Sequence, residues 1–156
     1  MADEQTASLK KALAKFELFM WLTDDELEKV AALSREENFA AGISIMAEGA
    51  TAHDLYMVEE GQARVEMSLS VYPGMVQDSL VEIIPKGEPF GWSAVIGSRV
   101  YTMTARAMEP LKVIAIDGEK LLALFNKNPD IGFKVMEGLV SVVSQRVRSV
   151  KKTLLT

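Results

Sequence analysis

The chain has 156 residues, 49% of them hydrophobic and 25% charged, which is enough for one folded core and too apolar for wholesale disorder. Its 17 Lys and Arg against 22 Asp and Glu leave a net charge of −5, not the basic balance of a chain that binds nucleic acid over its whole surface. With no cysteine, disulfides, thiolate metal sites and a thiol nucleophile are excluded, and the single histidine, His53, excludes metal centres built from several imidazoles.

The start, Met1-Ala2-Asp3-Glu4, is too polar for a signal peptide, and no apolar run approaches the roughly 18 residues of a membrane span. A cytoplasmic setting is the expectation. The first segment reads as helix, because Leu9, Ala12, Leu13, Phe16, Phe19 and Met20 recur at spacings of three and four. A second helix opens at Thr23-Asp24-Asp25-Glu26, where Thr23 and Glu26 stand at capping-box positions, and Leu27, Val30, Ala31 and Ser34 share a face. The acids Asp24, Asp25, Glu26 and Glu28 there complement the helix dipole, a structural rather than a catalytic role.

From Phe39 short β-prone runs alternate with single glycines. Residues 43–46, 55–58, 63–67, 80–84, 101–105 and 112–116 predict strands, with Gly42, Gly49, Gly61, Gly74 and Gly87 in the turns and 68–79 as the longest hairpin loop. Many short strands at regular turn spacing indicate a β-sandwich or barrel. Helical period returns after Ile116: Asp117 caps a helix to about Asn126, and Pro129 suits the first turn of another, running from 129 to 154. Leu139, Val143, Val147, Val150 and Leu154 form an apolar stripe on it. Charge is uneven, with four bases and no acid in residues 138–156; Arg146, Arg148, Lys151 and Lys152 suit the negative end of a helix.

Phe39-Ala40-Ala41-Gly42, Glu48-Gly49, the run Leu55-Tyr56-Met57-Val58-Glu59-Glu60-Gly61-Gln62-Ala63-Arg64-Val65 and Pro85-Lys86-Gly87-Glu88-Pro89-Phe90-Gly91 together resemble the cyclic-nucleotide-binding domain family, of the catabolite-activator and kinase-regulatory-subunit type. The resemblance implies a mainly β fold with flanking helices: a double-stranded β-helix, or jelly-roll-like β-roll. One domain would fill residues 1–156, with N-terminal helices over 1–37, the roll over 38–116 and C-terminal helices over 117–156.

It also implies a site. Phe90 to Thr102 stands where the family has its phosphate-binding cassette: Phe-Gly-Glu, a short helical turn, then Arg, any residue, Ala, and Thr or Ser. Backbone N–H groups at such a turn cradle a phosphate, Arg forks onto its oxygens, and the Glu accepts a ribose hydroxyl. The residues so implied are Gly91, Trp92, Ser93, Ala94, Arg99, Val100, Tyr101 and Thr102. Arg99 falls at the phosphate position, but Trp92 replaces the Glu and Tyr101 the small Ala, and the span from Trp92 to Arg99 is short by a residue or more. Indole donates one hydrogen bond and accepts none. Losing a charged hydrogen bond costs about 1.5–3 kcal/mol, roughly 10- to 150-fold in affinity. The expected ligand is cAMP or another phosphate-bearing anion, bound weakly or not at all; Val100 lacks the hydroxyl that accompanies cGMP preference in the family.

The function expected is a non-catalytic ligand-sensing regulatory module, with no metal or cofactor. The alternative is a ligand-independent dimerisation or scaffolding module whose pocket Trp92 and Tyr101 fill. The expected partners are a second copy through helix 129–154 and a protein effector. The four C-terminal bases do not replace a helix-turn-helix segment, so no nucleic acid is expected. Gly91-Trp92-Ser93-Ala94-Val95 only brushes a hydrolase nucleophile elbow, with Val in place of the last Gly and nothing placing His53 near Ser93.

Overall fold

The computed structural model describes the backbone of residues 2–155 and all side chains within it except those of residues 2–3, 70–71, 78, 80 and 153–155. Helices α1 (Ala2–Leu13) and α2 (Asp24–Ala31) lead into eight strands: β1 (Ser34–Phe39), β2 (Ser44–Met46), β3 (Asp54–Glu60), β4 (Ala63–Tyr72), β5 (Met75–Ile84), β6 (Pro89–Phe90), β7 (Thr104–Ala107) and β8 (Leu111–Asp117). Helices α3 (Gly118–Lys127) and α4 (Pro129–Leu155) follow. The strands make two antiparallel four-stranded sheets, in the orders β1-β8-β3-β6 and β2-β7-β4-β5. This is the β-roll with flanking helices that the glycine-cut pattern and the resemblance implied.

The sheet β1-β8-β3-β6 is buried on both faces, and the two-residue period of its strands sorts the side chains. Along β8, Ile114 and Ile116 face the helices, while Leu111, Val113 and Ala115 face into the roll. Along β3, Leu55 and Met57 join the helical side, and Tyr56 and Val58 the roll. Two apolar cores result. One seats Leu13, Phe16, Phe19, Val30, Leu121 and Val135 on the sheet; the other fills the space between the sheets.

Several element boundaries differ from the sequence expectation. The first helix ends at Leu13, and Phe16 and Phe19 reach the core through a turn and a 3-10 segment at 17–19, leaving Met20 exposed. Ser34 does not extend α2: residues 34–39 form an edge strand in register with 116–111 of β8, so the sheet begins inside the stretch expected to be helical. Its polar sequence, Ser34-Arg35-Glu36-Glu37-Asn38, hides the strand, because only tertiary pairing with β8 supports it. Residues 68–79 are not a long loop; β4 and β5 pair almost to the Pro73-Gly74 turn. Tyr101 to Met103 precedes its strand rather than forming it. The capping box is present, with the Glu26 N–H donating to Thr23 Oγ1 at 3.2 Å and the Thr23 N–H to Glu26 Oε1 at 2.9 Å. Asp117 caps α3 through a bond from the Lys120 N–H at 2.9 Å.

On α4 the expected stripe divides. Ile131, Val135 and Leu139 are buried against the helical core, Val143 is half-buried, and Val147 is 62% exposed. The Leu154 side chain lies outside the described residues. Among the described residues no helix is long and apolar enough to cross a membrane.

Candidate functional site

The site is built around the turn that follows β6. Gly91 adopts φ +77°, which a side chain rarely tolerates, and a Cβ there would sit 3.1 Å from the Asp54 carbonyl oxygen. This left-handed residue turns the chain into a 3-10 segment, Trp92–Ala94. The segment rests on Gly118, where a Cβ would fall 2.5 Å from the Ala94 carbonyl oxygen. Glycine at the start of α3 is thus what lets the turn approach the end of β8.

Tyr101 is held from behind. Its hydroxyl donates to the Asp54 carbonyl at 2.7 Å and accepts from the Asp54 N–H at 3.2 Å, closing two backbone groups at the start of β3. Burial pushes its phenol pKa up, so it stays protonated as a donor. Burial likewise raises Tyr56, whose ring stacks on Phe90 with centroids 5.0 Å apart. The Asp54 carboxylate receives both terminal nitrogens of Arg35, at 2.8 and 3.1 Å.

A pocket of about 310 Å³ lies between the β2-β7-β4-β5 sheet, this turn and α4. Gly91, Trp92, Ser93, Tyr101 and Thr102 all line it. The other three expected site residues are not in its wall. Ala94 is fully buried beneath the turn, Val100 bridges to Thr51 at the surface, and Arg99 sits at φ +63° with its carbonyl accepting the Ala52 N–H at 2.8 Å. Trp92 and Tyr101, which the alternative reading has filling the pocket, stand in the wall of this open space.

The guanidinium at this site comes from α4. Arg146 donates to the Pro89 carbonyl at 2.9 Å and to Glu88 Oε2 at 3.1 Å, and its Cζ lies 4.7 Å from the centroid of the Trp92 ring. Burial lowers its pKa, and the bond to Glu88 opposes that shift. One turn further on, Ser149 Oγ donates to Glu82 Oε1 of β5 at 3.3 Å. Val143, Val147 and Val150 complete the wall between these polar ties. Sequence reading assigned Arg146 to the helix dipole. Its spacing from Val143, Val147 and Val150 puts it on the same helical face, a signal present in the sequence but indistinguishable from an ordinary apolar stripe. His53 is exposed and its carbonyl accepts the Gly118 N–H at 2.8 Å. Among the described residues no cluster of three or more His, Asp or Glu side chains is placed to hold a metal ion.

The cyclic nucleotide-binding domain family model matches residues 36–128, well over half of the chain. The chain belongs to this family. The cGMP-dependent protein kinase egl-4 of Caenorhabditis elegans is 26% identical over 153 residues, 95% of this chain and 19% of the kinase. The chain thus spans about a fifth of that relative, and 16% of the Caenorhabditis briggsae kinase of the same name. A candidate cyclic nucleotide-binding protein from Geobacter metallireducens, of known structure, is 29% identical with a TM-score of 0.78, covering 88% of this chain and 96% of that one. The regulatory domain of Toxoplasma gondii PKA, solved with cAMP, shares the fold at 23% identity and a TM-score of 0.75, over 92% of this chain and 51% of that one.

Proposed function

We propose that this chain is a non-catalytic regulatory module that senses a ligand in the pocket and transmits its presence through α4. The observation that carries the reading is the position of Arg146: the helix that would signal also supplies one wall, and it is tied to the site by Trp92, Pro89 and Glu88. A ligand touching Gly91, Trp92, Ser93, Tyr101 or Thr102 competes with or reinforces these ties, and so shifts the population of docked α4. Arg99 has no part in that contact. With Trp92 at the position of the family's Glu, cAMP binds weakly or not at all. A cytoplasmic setting and a protein effector that reads α4 complete the proposal.

Because the chain has no cysteine, Ser149→Cys carries a bimane label uniquely, and quenching of that label by Trp92 is the expected signal of docked α4. The expected result is little response to millimolar cAMP or cGMP and a clear loss of quenching in Arg146→Ala. A molecule that binds the pocket and leaves the bimane signal unmoved overturns the sensing role.

A second reading concerns partners. Phe133 and Val140 stand seven residues apart on α4, 70% and 68% exposed and outside the pocket wall, with the half-buried Met136 three residues after the first. This is the spacing of a two-helix seam, and it supports a homodimer along helix 129–154. Sedimentation equilibrium tests it: a dimer converted to monomer by Val140→Glu supports the pairing, and a monomeric parent chain removes it.

A further inference from the structure

We propose that the pocket beneath α4 takes a compact, uncharged, aromatic small molecule, in place of a cyclic nucleotide or any other phosphate ester. The proposal rests on the reading of this pocket as the ligand site and names the class of ligand.

The charges in the wall come first. They are Glu82 and Arg146, one of each sign. Arg146 places one terminal nitrogen on both the Glu88 carboxylate and the Pro89 carbonyl and its face on Trp92, so its charge already meets one carboxylate. Glu82 presents a carboxylate beside the space a ligand would enter, tied to Ser149. A phosphate entering here gives up its hydration, meets the Glu82 carboxylate, and competes with Glu88 for the one guanidinium of the wall. Arg99, the remaining cation of the turn, has its backbone committed to Ala52 and lies outside the wall.

The rest of the wall sets what fits. Met46, Met67 and Met103 supply thioethers that adjust to irregular shapes, and Val65, Val81 and Val143 add aliphatic surface. Phe90, Trp92 and Tyr101 offer ring faces and edges to a planar guest. The neutral polar groups there are the hydroxyls of Ser93 and Thr102 and the indole N–H, enough to orient one carbonyl or hydroxyl on the guest. A pocket of about 310 Å³ with apolar walls and a few polar groups is the ordinary form of a small-molecule site.

The test uses the whole chain and N-phenyl-1-naphthylamine, an uncharged aromatic fluorophore that brightens in apolar surroundings and accepts excitation energy from tryptophan. The expected result is one saturable site per chain that millimolar cAMP does not displace. Met67→Glu places a second carboxylate in the wall and Met103→Trp fills it; both positions are half-buried, and either change weakens the probe by about tenfold or more. Absence of saturable binding, or equal binding by both variants, overturns the proposal. Displacement of the probe by cAMP also overturns it and leaves the sensing role standing. Probe binding that meets all expectations without moving the bimane label on residue 149 supports the ligand class and defeats the sensing role, so the two fail separately.

Discussion

Replacing Arg146 by alanine removes one of the polar ties that hold α4 over the pocket. The guanidinium is 13% exposed and donates to the Pro89 carbonyl at 2.9 Å. A hydrogen bond from a charged donor contributes about 1.5–3 kcal/mol, and a guanidinium over an indole face adds about 1 kcal/mol. Glu88 is 45% exposed, so its ion pair adds little after screening. Desolvation of the guanidinium, the same effect that lowers its pKa, offsets part of the gain. A net loss of about 2 kcal/mol corresponds to roughly 30-fold in the opening equilibrium of distal α4. Amide hydrogen exchange reads this directly. Residues 140–150 should exchange about 30-fold faster in Arg146→Ala, while residues 113–116 of β8, shared between the two cores, keep their protection. Arg146→Lys should fall between, because an ammonium lacks the planar fork and stacking face. Unchanged exchange at 140–150 together with unchanged Trp92 emission would refute the reasoning and place the closure of α4 on its valines and the Ser149 tie to Glu82.

Three further outcomes test the supports of the site. Gly118→Ala drives a methyl group into the Ala94 carbonyl, at 2.5 Å, and should cost about 1–3 kcal/mol while shifting Trp92 emission, as thermal and fluorescence scans would show. Tyr101→Phe leaves the Asp54 N–H and carbonyl without their partner and should cost about 1–3 kcal/mol, lowering the thermal midpoint by roughly 2–12 °C. The Glu26 carboxyl is held below its ordinary value, first by the hydrogen bond from Lys134 and then by the Thr23 N–H. A depressed carboxyl stabilises the fold above its unfolded pKa of about 4.3 and loses that contribution as pH falls through the lower folded value. Urea midpoints of the parent and Glu26→Gln should therefore differ at neutral pH and converge on acidification; a gap that persists in acid contradicts the assignment.

The candidate site shows where residue patterns stop being informative. Gly91, Trp92, Ser93, Tyr101 and Thr102, which adjoin a glycine-marked turn in one short stretch of chain, line the pocket together. Arg99, placed in the site by cassette spacing, has a left-handed backbone and is not among the residues that line the pocket. Arg146 was missed because a cation on an amphipathic helix reads the same whether it meets solvent or an indole 54 residues earlier in the chain.

Short-range chemistry was enough to settle much of the fold. Thr23 and Asp117 cap their helices, Pro129 opens α4, and single glycines cut β-prone runs into turns and strands, because each acts within a few residues of itself. The strand status of Ser34–Phe39, the pairing of β4 with β5 out to Tyr72, and the docking of α4 were decided by tertiary structure. Strand 34–39 has too little apolar character to declare itself and exists through its ladder with β8. Val143, Arg146 and Val147 are one wall of the pocket only because the roll presents Trp92 and Glu82 to that face of the helix. Local propensity acts over a turn or two; a pocket is a relation between surfaces that only the folded chain brings together.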